Sequence, residues 1–147
     1  MHRYVAPMSE HDLEALRRIY SAVNSGDVEE LASDVAHDIE WSIPERVPWG
    51  GTRHGPDGMR AFAETFRDHV DGNWADPDDF LMAQDRVVVL GRLRGRARGT
   101  GHEFEVEFAH VWTLTDGVAS QLRAIYDTEP IIAALEGRAP PRPELAV

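Results

Sequence analysis

Apolar residues recur at helical spacing near the start of this chain and alternate with polar ones through most of its second half. From Glu10, the residues Leu13, Leu16, Tyr20 and Val23 share one helical face, Ser9 stands at the N-cap position, and Asn24-Ser25-Gly26 ends the run. Asp27 can cap a second, shorter helix over 28–33, a segment rich in good helix formers. Ile39, Trp41 and Ile43 then alternate with Glu40 and Ser42, the pattern of a half-buried strand, and Pro44 closes it. The stretch 45–55 reads as an irregular loop, stiffened at Pro48 and loosened at Gly50-Gly51. Pro56 suits the first turn of a third helix to about His69, with Met59, Phe62, Ala63 and Phe66 on one face.

After a possible strand near Trp74 and an acidic turn at Asp76-Pro77-Asp78-Asp79, the remainder reads as strands joined by hairpin turns. Arg86 to Arg98 is one strand, expected to carry a bulge. The next puts Phe104, Val106, Phe108, His110, Trp112 and Leu114 on one face, with Glu103, Glu105 and Glu107 on the other. Asp116-Gly117 is a hairpin signal, 118–127 forms the last strand, and Pro130 opens a short helix ending near Gly137. The Pro-rich tail from Pro140 reads as mobile. Helices followed by a run of antiparallel strands make an α+β domain with helices packed on one side of a curved sheet. With neither an internal repeat nor a boundary, 1–147 reads as a single domain with its core at about 10–136.

Composition narrows the function classes. The 147 residues are 42% hydrophobic and 28% charged, and no stretch approaches the ~18 apolar residues a membrane helix requires. The first residues develop no apolar signal-peptide core before charge intervenes, so a cytoplasmic protein is expected. With no cysteine there is neither a disulfide nor a thiolate metal site, and the histidines show no helical i, i+4 pair, so no metal is expected. A net charge of −11 argues against nucleic acid, whose phosphates require clustered cations. All fifteen basic residues are Arg; Arg92, Arg94, Arg96 and Arg98 fall on one strand face, read as a solvated face balancing the acidic surface.

The order of elements, the Asn24-Ser25-Gly26-Asp27 junction, the stretch from Phe108 to Gly117 and the segment Arg123-Ala124-Ile125-Tyr126-Asp127 together resemble the SnoaL-like branch of the nuclear transport factor 2-like superfamily. The resemblance spans about residues 10–136. It implies a cone-shaped fold, with three N-terminal helices on a strongly curved, mainly antiparallel sheet that encloses a pocket. It also implies pairing of two copies through the outer sheet face. The catalytic carboxylates of relatives do not carry over. The acid/base Asp of the cyclases falls at Ala124, as does one Asp of the epoxide hydrolases, whose other Asp falls at Val88 after Arg86. The base of the ketosteroid isomerases falls within Ser42-Ile43-Pro44, their oxyanion-binding Tyr at Ile19 next to Tyr20, and their second oxyanion donor at His110.

What remains is an apolar pocket with few polar groups. His110 shares the inward face with Phe108 and Trp112, where an imidazole can donate a hydrogen bond or take up a proton. The alternative is a buried His satisfied for stability alone. Leu122, Ala124 and Tyr126 form one face of the last strand, matched to the inward one, so Tyr126 either offers its phenol to a ligand or packs in the core. Trp41, Trp49 and Trp112 suit an aromatic lining for a cyclic ligand, with core packing an equal account of Trp41 and Trp112; His54 lies near the expected mouth, where a plain surface histidine is the alternative reading. Arg86 begins a strand whose phase is open, since Val87, Val89, Gly91 and Leu93 could face inward instead. The leading expectation is a cofactor-independent acid/base enzyme of isomerase, cyclase, dehydratase or hydrolase type. It would act on a small apolar organic ligand, with His110 and Tyr126 as catalytic candidates. The competing readings are a non-catalytic binding module and a dimeric assembly domain with a vestigial pocket.

Overall fold

A computed structural model describes residues 10–139, without the side chains of Asn73 and Trp74. The expected cap Ser9 and the tail from Pro140 lie outside the described residues. The element order is α1 (Glu10–Ser25), α2 (Val28–Ser33), β1 (Val35–Ile43), β2 (Gly51–His54), α3 (Gly55–His69), β3 (Val70–Ala83), β4 (Arg86–Ala97), β5 (Glu103–Thr115), β6 (Val118–Tyr126) and α4 (Glu129–Glu136). The strands form one sheet in the order β2-β1-β6-β5-β4-β3, antiparallel throughout except for β1 against β6. Helix α3 follows β1 and β2 rather than joining α1 and α2 directly. This is the α+β curved-sheet architecture expected from the sequence.

Alternation decides which face of each strand is buried. Val87, Val89, Leu93 and Ala97 of β4, Phe104, Val106, Phe108 and Trp112 of β5, and Leu122 and Ala124 of β6 belong to the same core as Leu16, Ile19 and Tyr20 of α1. The phase of β4 is therefore settled by its valines, whose burial removes apolar area from water at about 25 cal/mol per Å². Arg92, Arg94 and Arg96 project from the opposite face, where they meet Asp78 and Glu105, Asp76, and Glu103 respectively, while Arg98, just past β4, pairs with Asp71. Exposed pairs of this kind contribute about 0–1 kcal/mol each, so the ladder organises the surface more than it stabilises the fold.

The curl of the sheet has a local cause. Gly91 lies opposite Phe108 and Gly95 opposite Phe104. A Cβ at either glycine would fall 2.7 Å from the ring tip of its partner, so both rings lie across bare backbone. At Gly91 a Cβ would also meet the Asp76 carbonyl oxygen at 2.1 Å. Two extra residues on β3, between Asp71 and Trp74 and between Pro77 and Asp79, bend that edge further. The bulge expected in β4 therefore belongs to β3, because β4 pairs with β5 in unbroken register from Arg86 to Arg96. The acidic stretch Asp76–Asp79 runs within β3 instead of forming a turn; its Pro77 is tolerated because β3 is an edge strand. The loop 45–55 also holds more order than expected, since Gly51–His54 pairs with β1 as the other edge.

The Asn24-Ser25-Gly26-Asp27 junction closes the cone. Gly26, at φ 75°, ends α1 with the Asp27 N–H bonding Ala22 O at 3.1 Å and its own N–H bonding Val23 O at 3.3 Å. The Asp27 carboxylate then accepts from Glu30 N at 3.0 Å and caps α2. The Asn24 amide is thereby turned onto β3, accepting from Ala75 N at 2.8 Å and donating to Ala75 O at 3.2 Å. Replacing Asn24 by Ala leaves both backbone groups of Ala75 unpaired; a loss of about 1–3 kcal/mol is expected. A lower midpoint in urea unfolding would register it, and an unchanged midpoint would refute the clamp.

Candidate functional site

Helix α1, helices α2 and α3, and the concave sheet face enclose a cavity of about 340 Å³. The deep wall comes from β5. There His110 Nδ1 lies 2.7 Å from the Tyr20 hydroxyl, and Trp112 Nε1 donates to the same hydroxyl at 3.0 Å. Tyr20 reaches this position because Leu16, Ile19 and Tyr20 occupy the buried face of α1. Ile19 is buried outright in the core, so of the two adjacent candidates it is Tyr20 that meets the cavity. Phe108 stacks beneath the imidazole with ring centroids 3.9 Å apart and planes 17° from parallel.

Burial sets the charge state of the wall. Desolvation lowers the His110 pKa from the ordinary 6.5 to about 3, so the ring is neutral at physiological pH. The Tyr20 phenol is pushed well above its ordinary value by burial, an effect the Trp112 hydrogen bond only partly offsets. Tyr126 is raised by burial to about 12, against the opposing effect of a hydrogen bond with Trp49. Trp49, placed in a Gly-rich loop by the sequence, is 1% exposed and packs edge-on against Phe66 at 4.8 Å. Its indole is therefore folded inside rather than exposed in the loop. The Trp41 indole is buried on the same wall, its Nε1 without a hydrogen-bond partner among the described residues.

Tyr20, Trp41, Trp49, His110, Trp112, Leu122 and Tyr126, all anticipated from the sequence, line one cavity. Three anticipated residues do not. Phe108 is covered and supports the His110 ring from below. Arg86 is exposed on the outer face, where the inward phase of Val87 and Val89 places it. His54 is exposed at the end of β2, 3.6 Å from the Glu40 carboxylate, because its register partner Glu40 lies on the outer face of β1. Phe62 and Phe66 of α3 also line the cavity. Their helical spacing marked a buried face without saying what it faced. Arg67 in the lining carried no signal in the sequence, and Arg98, read there as part of a solvated arginine face, lines the cavity instead.

Among the described residues the lining holds two carboxylates, both already paired: Asp27 caps α2, and Asp71 pairs at 2.7 Å with Arg98, itself a lining residue. Opposite His110 on β6 stands Ala124. No three His, Asp or Glu side chains cluster as a metal site would require among the described residues. Nor is any described helix long and apolar enough to cross a membrane. The arrangement offers hydrogen bonds from neutral groups within an apolar shell.

A family model described as the SnoaL-like domain matches residues 16–121. No curated protein matches the sequence significantly. Among solved structures, a nuclear transport factor 2-like protein of unknown function from Burkholderia pseudomallei is 30% identical, covering 87% of this chain and 98% of its own, with a TM-score of 0.79. TerC, co-crystallised with polyporic acid, is 29% identical over 86% of this chain and 99% of its own, also at a TM-score of 0.79. A putative SnoaL-like polyketide cyclase from Jannaschia shares the fold at 18% identity, covering 95% and 100% of the two chains, with a TM-score of 0.76.

The depressed His110 pKa makes stability depend on pH in a defined sense. The unfolded chain binds a proton near pH 6.5 that the folded chain refuses until about pH 3. The stability tied to the neutral ring is therefore complete above pH 6.5 and drains as pH falls toward 3. Between pH 6 and pH 5 the loss is about 1 kcal/mol. Urea unfolding at these two values should show that extra loss in the wild type and not in His110→Gln; parallel losses would contradict the buried neutral ring.

Proposed function

The chain belongs to the SnoaL-like domain family, and on that premise we propose that it binds a small, apolar, cyclic metabolite and transforms it without a cofactor. The reaction class is that of an isomerase, cyclase, dehydratase or hydrolase, with His110 as the principal catalytic group. The observation that carries this reading is His110 itself, a hydrogen-bonded neutral imidazole on the wall of a cavity otherwise built largely from tryptophan, phenylalanine and aliphatic side chains. A polar contact in such surroundings fixes the orientation of a ligand and acts on its reacting group with little competition from water. Because burial holds the ring pKa at about 3, His110 acts in the resting protein through a hydrogen bond and not as a proton-abstracting base. Tyr126, whose phenol stays protonated, is the second polar contact. That TerC was crystallised with polyporic acid supports a ring compound as the class of ligand.

One observation favours a second reading, a non-catalytic binding module. Among the described residues no carboxylate bonds His110: Ala124 lies opposite it, Asp27 caps α2 and Asp71 pairs with Arg98. Recovery of a bound molecule chemically unchanged after incubation would select this alternative over the enzyme.

The assembly we propose is a homodimer paired through the outer sheet face. Leu90, Ala109 and Ile125 form a row across β4, β5 and β6, and Leu81, Leu90 and Ile125 are 51%, 37% and 48% exposed. Burying such a row on a second copy removes contiguous apolar surface from water.

Native mass spectrometry with extraction of retained compounds tests both claims. A dimer mass and a retained ring compound are expected. On that compound, His110→Ala should lower kcat/KM by at least about 100-fold and Tyr126→Phe by about tenfold. Full activity of His110→Ala would end the enzyme reading. Ile125→Glu should shift the mass to the monomer, and a dimer that survives it would exclude this face.

A further inference from the structure

We infer that Trp112 and Tyr20 hold His110 in the neutral tautomer that carries its proton on Nε2, so that the cavity presents a donor and selects ring compounds bearing an acceptor oxygen, such as cyclic ketones. The ligand half of this inference rests on the proposed binding function; the tautomer does not.

The argument is a count of protons. An indole nitrogen can only donate, so the 3.0 Å contact makes the Tyr20 oxygen an acceptor for Trp112. A phenol has a single proton, and the remaining partner of the Tyr20 hydroxyl among the described residues is His110 Nδ1 at 2.7 Å. If Nδ1 carried a proton, it too would donate to the Tyr20 oxygen. The Tyr20 proton would then have no acceptor in a residue 3% exposed. Buried hydroxyls are not left in that state when a tautomer shift relieves it. The chain therefore runs from Trp112 N–H to the Tyr20 oxygen and from the Tyr20 O–H to Nδ1. Its proton accounted for, the imidazole keeps its N–H at Nε2.

Nothing among the described residues bonds Nε2, and His110 lines the cavity. Phe108 covers the ring from one side at 3.9 Å, itself lying against Gly91 of β4. The imidazole is thus held in plane by a hydrogen bond and from below by a stacked ring, leaving its Nε2 edge for a ligand. An acceptor oxygen satisfies that N–H; a purely hydrocarbon ring buries it unpaired, and a donor group meets it as a mismatch. Trp112 and Tyr20 are positioning residues in this scheme, acting on the ligand through His110.

The tautomer is read directly by long-range proton–nitrogen correlation spectra of the full chain labelled at histidine nitrogens, with His110 assigned by comparison with His110→Gln. A protonated Nε2 and an unprotonated, hydrogen-bond-accepting Nδ1 are expected at neutral pH. In Tyr20→Phe the preference should weaken, with His110 sampling both tautomers. Trp112→Phe should act in the same direction; if it does not fold, the wild-type spectrum and Tyr20→Phe still decide. A proton on Nδ1 in the wild type, or a Tyr20→Phe spectrum unchanged at His110, would overturn the inference. Its ligand half is tested with 1-tetralone and tetralin, one ring skeleton with and without a carbonyl. The expected result is at least tenfold tighter binding of tetralone and a shift of the Nε2 signal on its addition alone. Equal binding of the two would overturn acceptor selection while sparing the binding function, and binding of neither, with Nε2 protonated, would count against that function itself.

Discussion

A largely desolvated histidine with no carboxylate partner favours the neutral ring and a hydrogen bond, and in this protein that bond comes from Tyr20, far away along the chain. Tyr20 of α1 meets His110 at 2.7 Å and Trp112 at 3.0 Å, so a single phenol joins the first helix to the deep wall of the sheet. The bond does more than settle a polar group. It ties the apolar face of α1 to the concave sheet and, under the proposed tautomer, leaves the Nε2 edge of the imidazole toward the cavity.

The cavity lies between the concave sheet and the helices. Gly91 and Gly95 accept the rings of Phe108 and Phe104 where any side chain would collide, and two extra residues turn the β3 edge inward. Asn24 then ties α1 to β3 through both backbone groups of Ala75. Space remains between the helices and the strands, and aromatic and aliphatic side chains line most of it. The same glycines that shape the strand thus support the floor on which His110 stacks.

Charge is distributed in a way that matches this design. The outer face carries the arginine and carboxylate ladder in water, where pairing is worth little and solubility gains. The deep wall keeps neutral groups whose pKa values burial has moved away from ionisation. Where relatives of this fold place carboxylates, this chain has Ala124 on the inward face of β6 and Val88 on the outward side of β4. Such a pocket offers orientation and hydrogen bonding from neutral groups, which narrows the reactions it could support under the proposed function.

Much of this was legible in the residue pattern. Strict alternation in β5 announced the inward set of Phe108, His110 and Trp112, because a strand has only two faces. The face of α1 was legible in the spacing of Leu16, Tyr20 and Val23, and the junction after it in the glycine at Gly26. The phase of β4 was not, since Arg86, Val88 and Leu90 compete with Val87, Val89 and Leu93 on nearly equal terms until a neighbouring strand chooses between them. Nor could one-dimensional spacing show that β3 takes the bulges, that His54 sits beside Glu40 on the outside, or that Trp49 is folded inward onto Phe66 and Tyr126. Local sequence by itself determined the elements and the faces they bury, because helix and strand periodicity are properties of neighbouring residues. The tertiary structure alone decided that Tyr20 and Trp112 share one hydroxyl with His110, because that contact joins positions some ninety residues apart and depends on how sharply the sheet curls.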